Sequence, residues 1–182
     1  MFIKRNLIFV FIILMMIGFK VSDSRADEDG KIKWGFSFLA GTNVRDDPDF
    51  AHFALLPRAG WALHKNWDFE LEGNFSYYFI NKEKNLYLLG VNGNFLFKPV
   101  QWGKVTPFLM TGGGLAYNNN NGNLWEIGDS HTAGILQGGA GIDYYMGKGL
   151  WLRGAYRFHH ISDPFKYDVG LNTHTFILGF SF

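Results

Sequence analysis

The chain has 182 residues, a formal net charge of +1, no cysteine, and 19 Phe, 8 Tyr and 6 Trp beside 23 Gly. A charge so close to zero argues against a nucleic-acid partner, which calls for a clear basic excess, and the absence of cysteine excludes a disulfide framework. The length suits a single domain, and so much aromatic residue and glycine fits a barrel with aromatic girdles better than a helical domain.

The first segment, "MFIKRNLIFVFIILMMIGFKVSDSRA", carries Lys4 and Arg5, an apolar run from Leu7 to Phe19, and Ser24 and Ala26 on either side of Arg25. A basic head, an apolar middle and small residues before a cut are the layout of a secretory signal peptide. The run is too short for the ~20 apolar residues of a membrane-spanning helix. Residues 1–26 are therefore predicted to be removed, leaving 27–182 as the barrel domain.

From Trp34 onward the apolar residues recur with period 2, the period of a strand. Eight runs are predicted as strands: 34–42, 52–63, 67–79, 86–97, 105–117, 131–145, 150–162 and 171–182. The third is the clearest. Trp67, Phe69, Leu71, Gly73, Phe75, Tyr77 and Phe79 share one face, and Asp68, Glu70, Glu72, Asn74, Ser76 and Tyr78 share the other. Such length exceeds the usual strand of a soluble sandwich. It suits a transmembrane barrel with apolar exterior and polar interior.

The connections alternate between short (64–66, 98–104, 146–149) and longer (43–51, 80–85, 118–130, 163–170). This is the outer-membrane pattern, with the short turns periplasmic. The predicted fold is all-β: an eight-stranded antiparallel transmembrane β-barrel of the bacterial outer membrane.

Several motifs lose their meaning in that frame. "GGGLAY" and "QGGAGID" open no helix, so they read as close-packed strand residues and not as phosphate loops. "NNNNG" reads as a polar loop tip. Asp46, Asp47 and Asp49 lack the spacing of a calcium loop, and no histidine–carboxylate cluster has metal-ligand spacing. Lys82, Lys84 and Lys166 read as solvated loop charges. No metal and no cofactor is expected.

The chemistry concentrates near the end of the chain. In "LWLRGAYRFHHIS", Arg153, Arg157 and His159 share a face with Trp151, Ala155 and Ile161. A charge facing lipid near midplane costs several kcal/mol, so that face turns inward. Leu150, Leu152, Gly154, Tyr156, Phe158, His160 and Ser162 then face outward. In the eighth strand Phe176, Leu178, Phe180 and Phe182 are outward, and the same parity takes in His174 and Asn172. Antiparallel pairing brings Asn172 close to His160 and Ser162 at the outer rim. A serine hydroxyl needs an imidazole to accept its proton, and the imidazole needs its other nitrogen held by an acceptor. An interfacial polar patch without chemistry satisfies the same spacing.

The stretch "YRFHHIS…VGLNTHTFILGFSF" resembles the PagL-type lipid A 3-O-deacylases, eight-stranded outer-membrane barrels. They carry a His-x-Ser pair near the end of the seventh strand and a "GLN"- or "GIE"-like stretch in the eighth. The resemblance covers about the last thirty residues; the remainder matches in architecture only. It implies His160 as base and Ser162 as nucleophile, with the site on the outer wall. Two positions depart from the family pattern. Asn172 stands where the best-known members have glutamate, and an amide stabilises the imidazolium less. Asp163 stands where an asparagine, thought to help hold the oxyanion, usually follows the serine. Its carboxylate would repel developing negative charge unless protonated or turned away, or would serve as the orienting acid itself.

The sequence thus predicts an esterase that removes an ester-linked acyl chain from lipid A of lipopolysaccharide. Ser162 attacks, His160 is base and then acid, Asn172 orients, and His174 is the reserve base. The alternative is an inactive structural or adhesive barrel. The expected partners are lipopolysaccharide and outer-membrane lipids, no nucleic acid, and a homodimer as an open option.

Overall fold

A strand with one apolar and one polar face can satisfy both inside a bilayer only if the sheet closes on itself, because an open edge leaves backbone groups unpaired in lipid. A computed structural model describes residues 32–44, 50–80, 85–119, 131–164 and 170–182 of the chain. It shows that closure. The strands are β1 (Lys33–Asn43), β2 (Phe50–His64), β3 (Trp67–Ile80), β4 (Leu86–Phe97), β5 (Val105–Asn118), β6 (Thr132–Gly147), β7 (Leu150–Ser162) and β8 (Leu171–Ser181). Each pairs antiparallel with its sequence neighbours, and β1 pairs with β8 to close the ring. The predicted strands agree with these to within two residues at every end.

The largest extensions are at β2, which begins at Phe50, and β6, which runs on to Gly147. In β6 the register shifts between Tyr145 and Gly147. Gly147, Lys148 and Gly149 then take positive φ to make the tight turn into β7. That turn chemistry is what the "MGKG" segment supplies. The predicted signal peptide, Asp46, Asp47 and Asp49, most of the "NNNNG" tip, and Lys82, Lys84 and Lys166 lie outside the described residues.

The alternation in β3 and β7 is realised as predicted. Glu70, Glu72, Asn74, Ser76 and Tyr78 of β3 are buried, as are Arg153, Arg157, His159 and Ile161 of β7. Outward positions such as Phe38, Leu136, Phe176 and Leu178 are more than 60% exposed, an apolar belt to be covered by lipid. The interior is filled in layers. Near the periplasmic end Arg153 donates from two nitrogens to Glu70 at 2.7 and 2.9 Å, and from two to Asp143 at the same distances. One layer up, Arg157 donates to both oxygens of Glu72 at 2.8 and 2.9 Å and to Gln137 at 3.1 Å. Above that His52 donates to Ser76 at 2.9 Å, and Ser76 donates to Asn74 at 2.5 Å. The ring of Tyr78 stacks on His52 at 4.0 Å between centroids. An apolar cluster with Phe50, Ile80, Leu86, Ile135, Ile161 and Leu171 roofs the extracellular end.

Glycine makes room where two walls crowd. A Cβ on Gly112 would stand 2.1 Å from the Asn94 side-chain oxygen, which in turn accepts from Gln137 at 2.5 Å. The glycine run of β5 is thus a packing device, as expected from its place in a strand.

Replacing Arg153 with methionine leaves Glu70 and Asp143 facing one another without their shared cation. Loss of one partner of a buried pair costs ~3–5 kcal/mol. The expected outcome is a markedly lower denaturant midpoint for Arg153→Met in detergent micelles, read from the shift between folded and unfolded bands on unboiled gels.

Candidate functional site

Arg153, Arg157 and His159 point into the lumen, so the intervening residues of β7 must face out. His160 and Ser162 do so, half-buried at the loop end of the strand. The β7–β8 register places His160 directly opposite Asn172. Their side chains meet: Nδ1 of His160 lies 2.8 Å from the Asn172 Oδ1. A carbonyl oxygen only accepts, so Nδ1 carries the proton and donates. In the neutral ring Nε2 then holds the lone pair. The tautomer suits a base whose working nitrogen is Nε2.

The direction of that nitrogen is set by a residue that sequence reasoning passed over. Gly170 has φ of 62°, and a Cβ there would fall 2.3 Å from Cε1 and 2.9 Å from Nε2 of His160. The imidazole edge therefore lies over Gly170, which sits one step beyond the last β7–β8 pair, Ile161 with Leu171. That step is the level of Ser162. The signal was present in "VGLN": a glycine just before a strand marks a close approach or a left-handed turn.

Ser162 is paired on its other side with Gly134, and Pro164 stands over that glycine, where a Cβ would fall 3.3 Å from the Pro164 Cβ. Next to His160 on that side stands Leu136, fully outward. Among the described residues the hydrogen bonds join His160 to Asn172 and not to Ser162. The structure thus brings His160 and Asn172 together, and sets Ser162 on the same face at the level to which the ring tips.

Asp163 continues the inward parity and is 4% exposed. The partner of His160 Nδ1 is Asn172 and not Asp163. His174 is outward and exposed one step below Asn172, as predicted. Its Nδ1 is hydrogen-bonded to the hydroxyl of Tyr156, and its ring stacks on Tyr156 at 5.8 Å. It is not joined to Ser162. Beyond it, Phe176 and Leu178 of β8, Phe38 and Ala40 of β1 and Phe53 and Leu55 of β2 line an open apolar groove of about 570 Å³ in the outer wall.

Residues 12–182 match the model of the outer membrane protein beta-barrel domain. The chain belongs to that family. It is an outer-membrane β-barrel, and its outward apolar belt faces the bilayer of the bacterial outer membrane. No curated protein matches it. Among solved structures it is similar to the outer membrane enzyme PagL, with 16% identity over 80% of this chain and 97% of PagL and a TM-score of 0.63. It is also similar to Neisserial surface protein A, at 14% identity over 82% and 95% of the two chains and a TM-score of 0.61. The outer membrane protein OprG from Pseudomonas aeruginosa gives 12% identity over 85% and 97%, and a TM-score of 0.55. An enzyme and a surface protein share this shape, so the likeness shows the fold, and activity has to be argued from the site.

A methyl group on Gly170 would strike the imidazole and would also strain a left-handed backbone position. Gly170→Ala is expected to displace His160 and break its hydrogen bond to Asn172, seen as a changed His160 Nδ1 shift in nitrogen NMR spectra of the protein in micelles. The barrel should keep its heat-dependent gel migration. Parallel NMR spectra and gels check both halves.

Proposed function

We propose that this barrel is a serine esterase that removes an ester-linked acyl chain from lipid A of lipopolysaccharide at the outer leaflet. The observation that supports it most is the His160–Asn172 hydrogen bond on the lipid-facing wall. Such a bond leaves Nε2 basic and tipped toward the level of Ser162. Resemblance of "HHIS…GLN" to the PagL-type lipid A 3-O-deacylases points the same way.

In the proposed reaction Ser162 Oγ attacks the acyl carbonyl while His160 Nε2 takes its proton. The tetrahedral intermediate collapses, and the imidazolium returns that proton to the departing sugar oxygen. Water, deprotonated by the same nitrogen, then attacks the acyl-enzyme and releases the fatty acid. Asn172 holds the ring but brings no charge to the imidazolium. Asp163 is buried, and the reaction requires its carboxylate to lie away from the developing oxyanion. The apolar groove below offers a bed for the acyl chain. None of these steps needs a metal or a cofactor.

A barrel that keeps the fold without the chemistry is the second reading. What favours it is that the Ser162 hydroxyl is not bonded to the imidazole among the described residues. Catalytic hydrogen bonds are often longer before substrate binds, which is why the esterase reading is preferred.

Mass spectrometry of lipid A from cells with and without the expressed protein tests it. Loss of one acyl chain is expected; an unchanged profile supports the second reading. Ser162→Ala should reduce deacylation on the order of 10⁴-fold or more, and adding His160→Ala should reduce it little further, because the two act as one unit. Asn172→Glu is expected to raise kcat about tenfold, the difference between a neutral and a charged hydrogen bond to the ring.

A further inference from the structure

Three short turns at the periplasmic end are built alike. Each closes on a two-residue tip: Lys65–Asn66 between the paired His64 and Trp67, Gly103–Lys104 between Trp102 and Val105, and Lys148–Gly149 between Gly147 and Leu150. Each tip holds one lysine, and each lysine is exposed. The segments 64–66, 98–104 and 146–149 contain no aspartate or glutamate. Lys98 pairs inward, with Asp68 at 2.6 Å and Asp143 at 3.5 Å. None of the three tip lysines makes an ion pair among the described residues. Lys148 has φ of 52°, where glycine or asparagine would sit with less strain. A charge stands there all the same.

A tryptophan accompanies every tip. Trp67 and Trp102 flank theirs directly, and Trp151 follows Leu150. Trp102 is 66% exposed, and its backbone exchanges hydrogen bonds with Val105 at 2.8 and 3.0 Å, which closes the tip as a small hairpin. With Trp34 and Trp61, all five tryptophans among the described residues gather at this end.

We propose that the three tips bind anionic phospholipid, each lysine meeting a headgroup phosphate while its tryptophan lies at the edge of the hydrocarbon. The inference is independent of the esterase reading and concerns the end of the barrel away from Ser162. Charge selects the anion, because an uncompensated cation at a membrane surface gains most from negatively charged lipid. Tryptophan selects the membrane over a soluble anion, since its ring favours the level where headgroup meets hydrocarbon. Depth fits as well. Lys65 precedes Trp67 by two residues, about 7 Å of strand, and a lysine stem spans such a step with its head in the polar layer. The tips join β2 to β3, β4 to β5 and β6 to β7, so they make separate contacts round the ring and not one pocket.

Because the tryptophans gather here, intrinsic fluorescence reports on lipid at this rim. The folded protein is reconstituted in phosphatidylcholine vesicles containing increasing fractions of chain-brominated phosphatidylglycerol or chain-brominated phosphatidylcholine. Quenching by the two gives their relative association. At low salt phosphatidylglycerol should be preferred roughly fivefold, the scale for one lysine beside an anionic surface. The preference should fall toward one in about 1 M salt, where the screening length is only about 3 Å. Combining Lys65→Gln, Lys104→Gln and Lys148→Gln should abolish it at low salt, whereas arginine at the same positions should keep it. Gel migration before and after boiling establishes that the variants fold, and the salt series on the unaltered chain tests the inference without them. Equal quenching by both lipids at low salt overturns it, as does a preference that the folded glutamine variant retains. A preference that high salt leaves intact also overturns it, since the selection would then not be electrostatic.

Discussion

Two arginines on β7 reach across the lumen to two glutamates on β3, the strand on the opposite wall of the ring. Much else follows from this tie. The carboxylates and guanidiniums are buried from water and satisfy one another with paired, parallel hydrogen bonds, the geometry in which such groups are strongest. Their inward direction is not negotiable, because the other side of the strand is hydrocarbon. Since side chains alternate along β7, fixing Arg153 and Arg157 inside fixes Tyr156, Phe158, His160 and Ser162 outside. A slip of one residue would exchange the two sets.

The filled interior has a second effect. Layers of ion pairs, amides, histidines and an apolar roof occupy the space that a larger barrel would leave as a channel. What this protein does to other molecules is therefore done on its loops or its outer wall. On the wall, polar residues are conspicuous because the surroundings are apolar. His160, Asn172, Ser162, His174 and Tyr156 form one short polar stripe between Leu136 on one side and the aromatic groove on the other.

Most of the architecture was legible because a period of 2 is a direct record of which face meets lipid. The long alternations of β3 and β7 gave strand limits, parity and the outward direction of His160, and antiparallel pairing gave its nearness to Asn172. Local patterns do not encode contacts across a lumen, so the specific partners Glu70 and Glu72 emerged only from the structure, whereas Asp143 is the direct cross-strand neighbour of Arg153 on β6. The seat of the imidazole on Gly170 was hidden for another reason: it depends on a backbone angle and on the tilt of a ring. Burial of Asp163 was within reach, since its odd number continues the inward set, but the end of a strand is where parity is least secure. The Tyr156–His174 bond is a diagonal contact, two residues out of register, and direct-pair reasoning misses it. Residues 1–26 and most of the outer loops lie outside the described structure, and the readings of those segments remain expectations.

The seam of the barrel joins the two ends of the described chain. Gly35 pairs with Ser181, and the backbone of Phe182 exchanges hydrogen bonds with Trp34 at 2.9 and 3.0 Å. Every other strand pair links neighbours in sequence, whereas this one must wait until β8 has been delivered. Until then β1 and β8 present bare edges, each a template for a neighbouring polypeptide. Forming the contact with the greatest separation along the chain is also the slow event in a topology of this kind. Assembly therefore has a vulnerable interval between synthesis and sealing, during which an escort or the bilayer itself has to keep those edges apart.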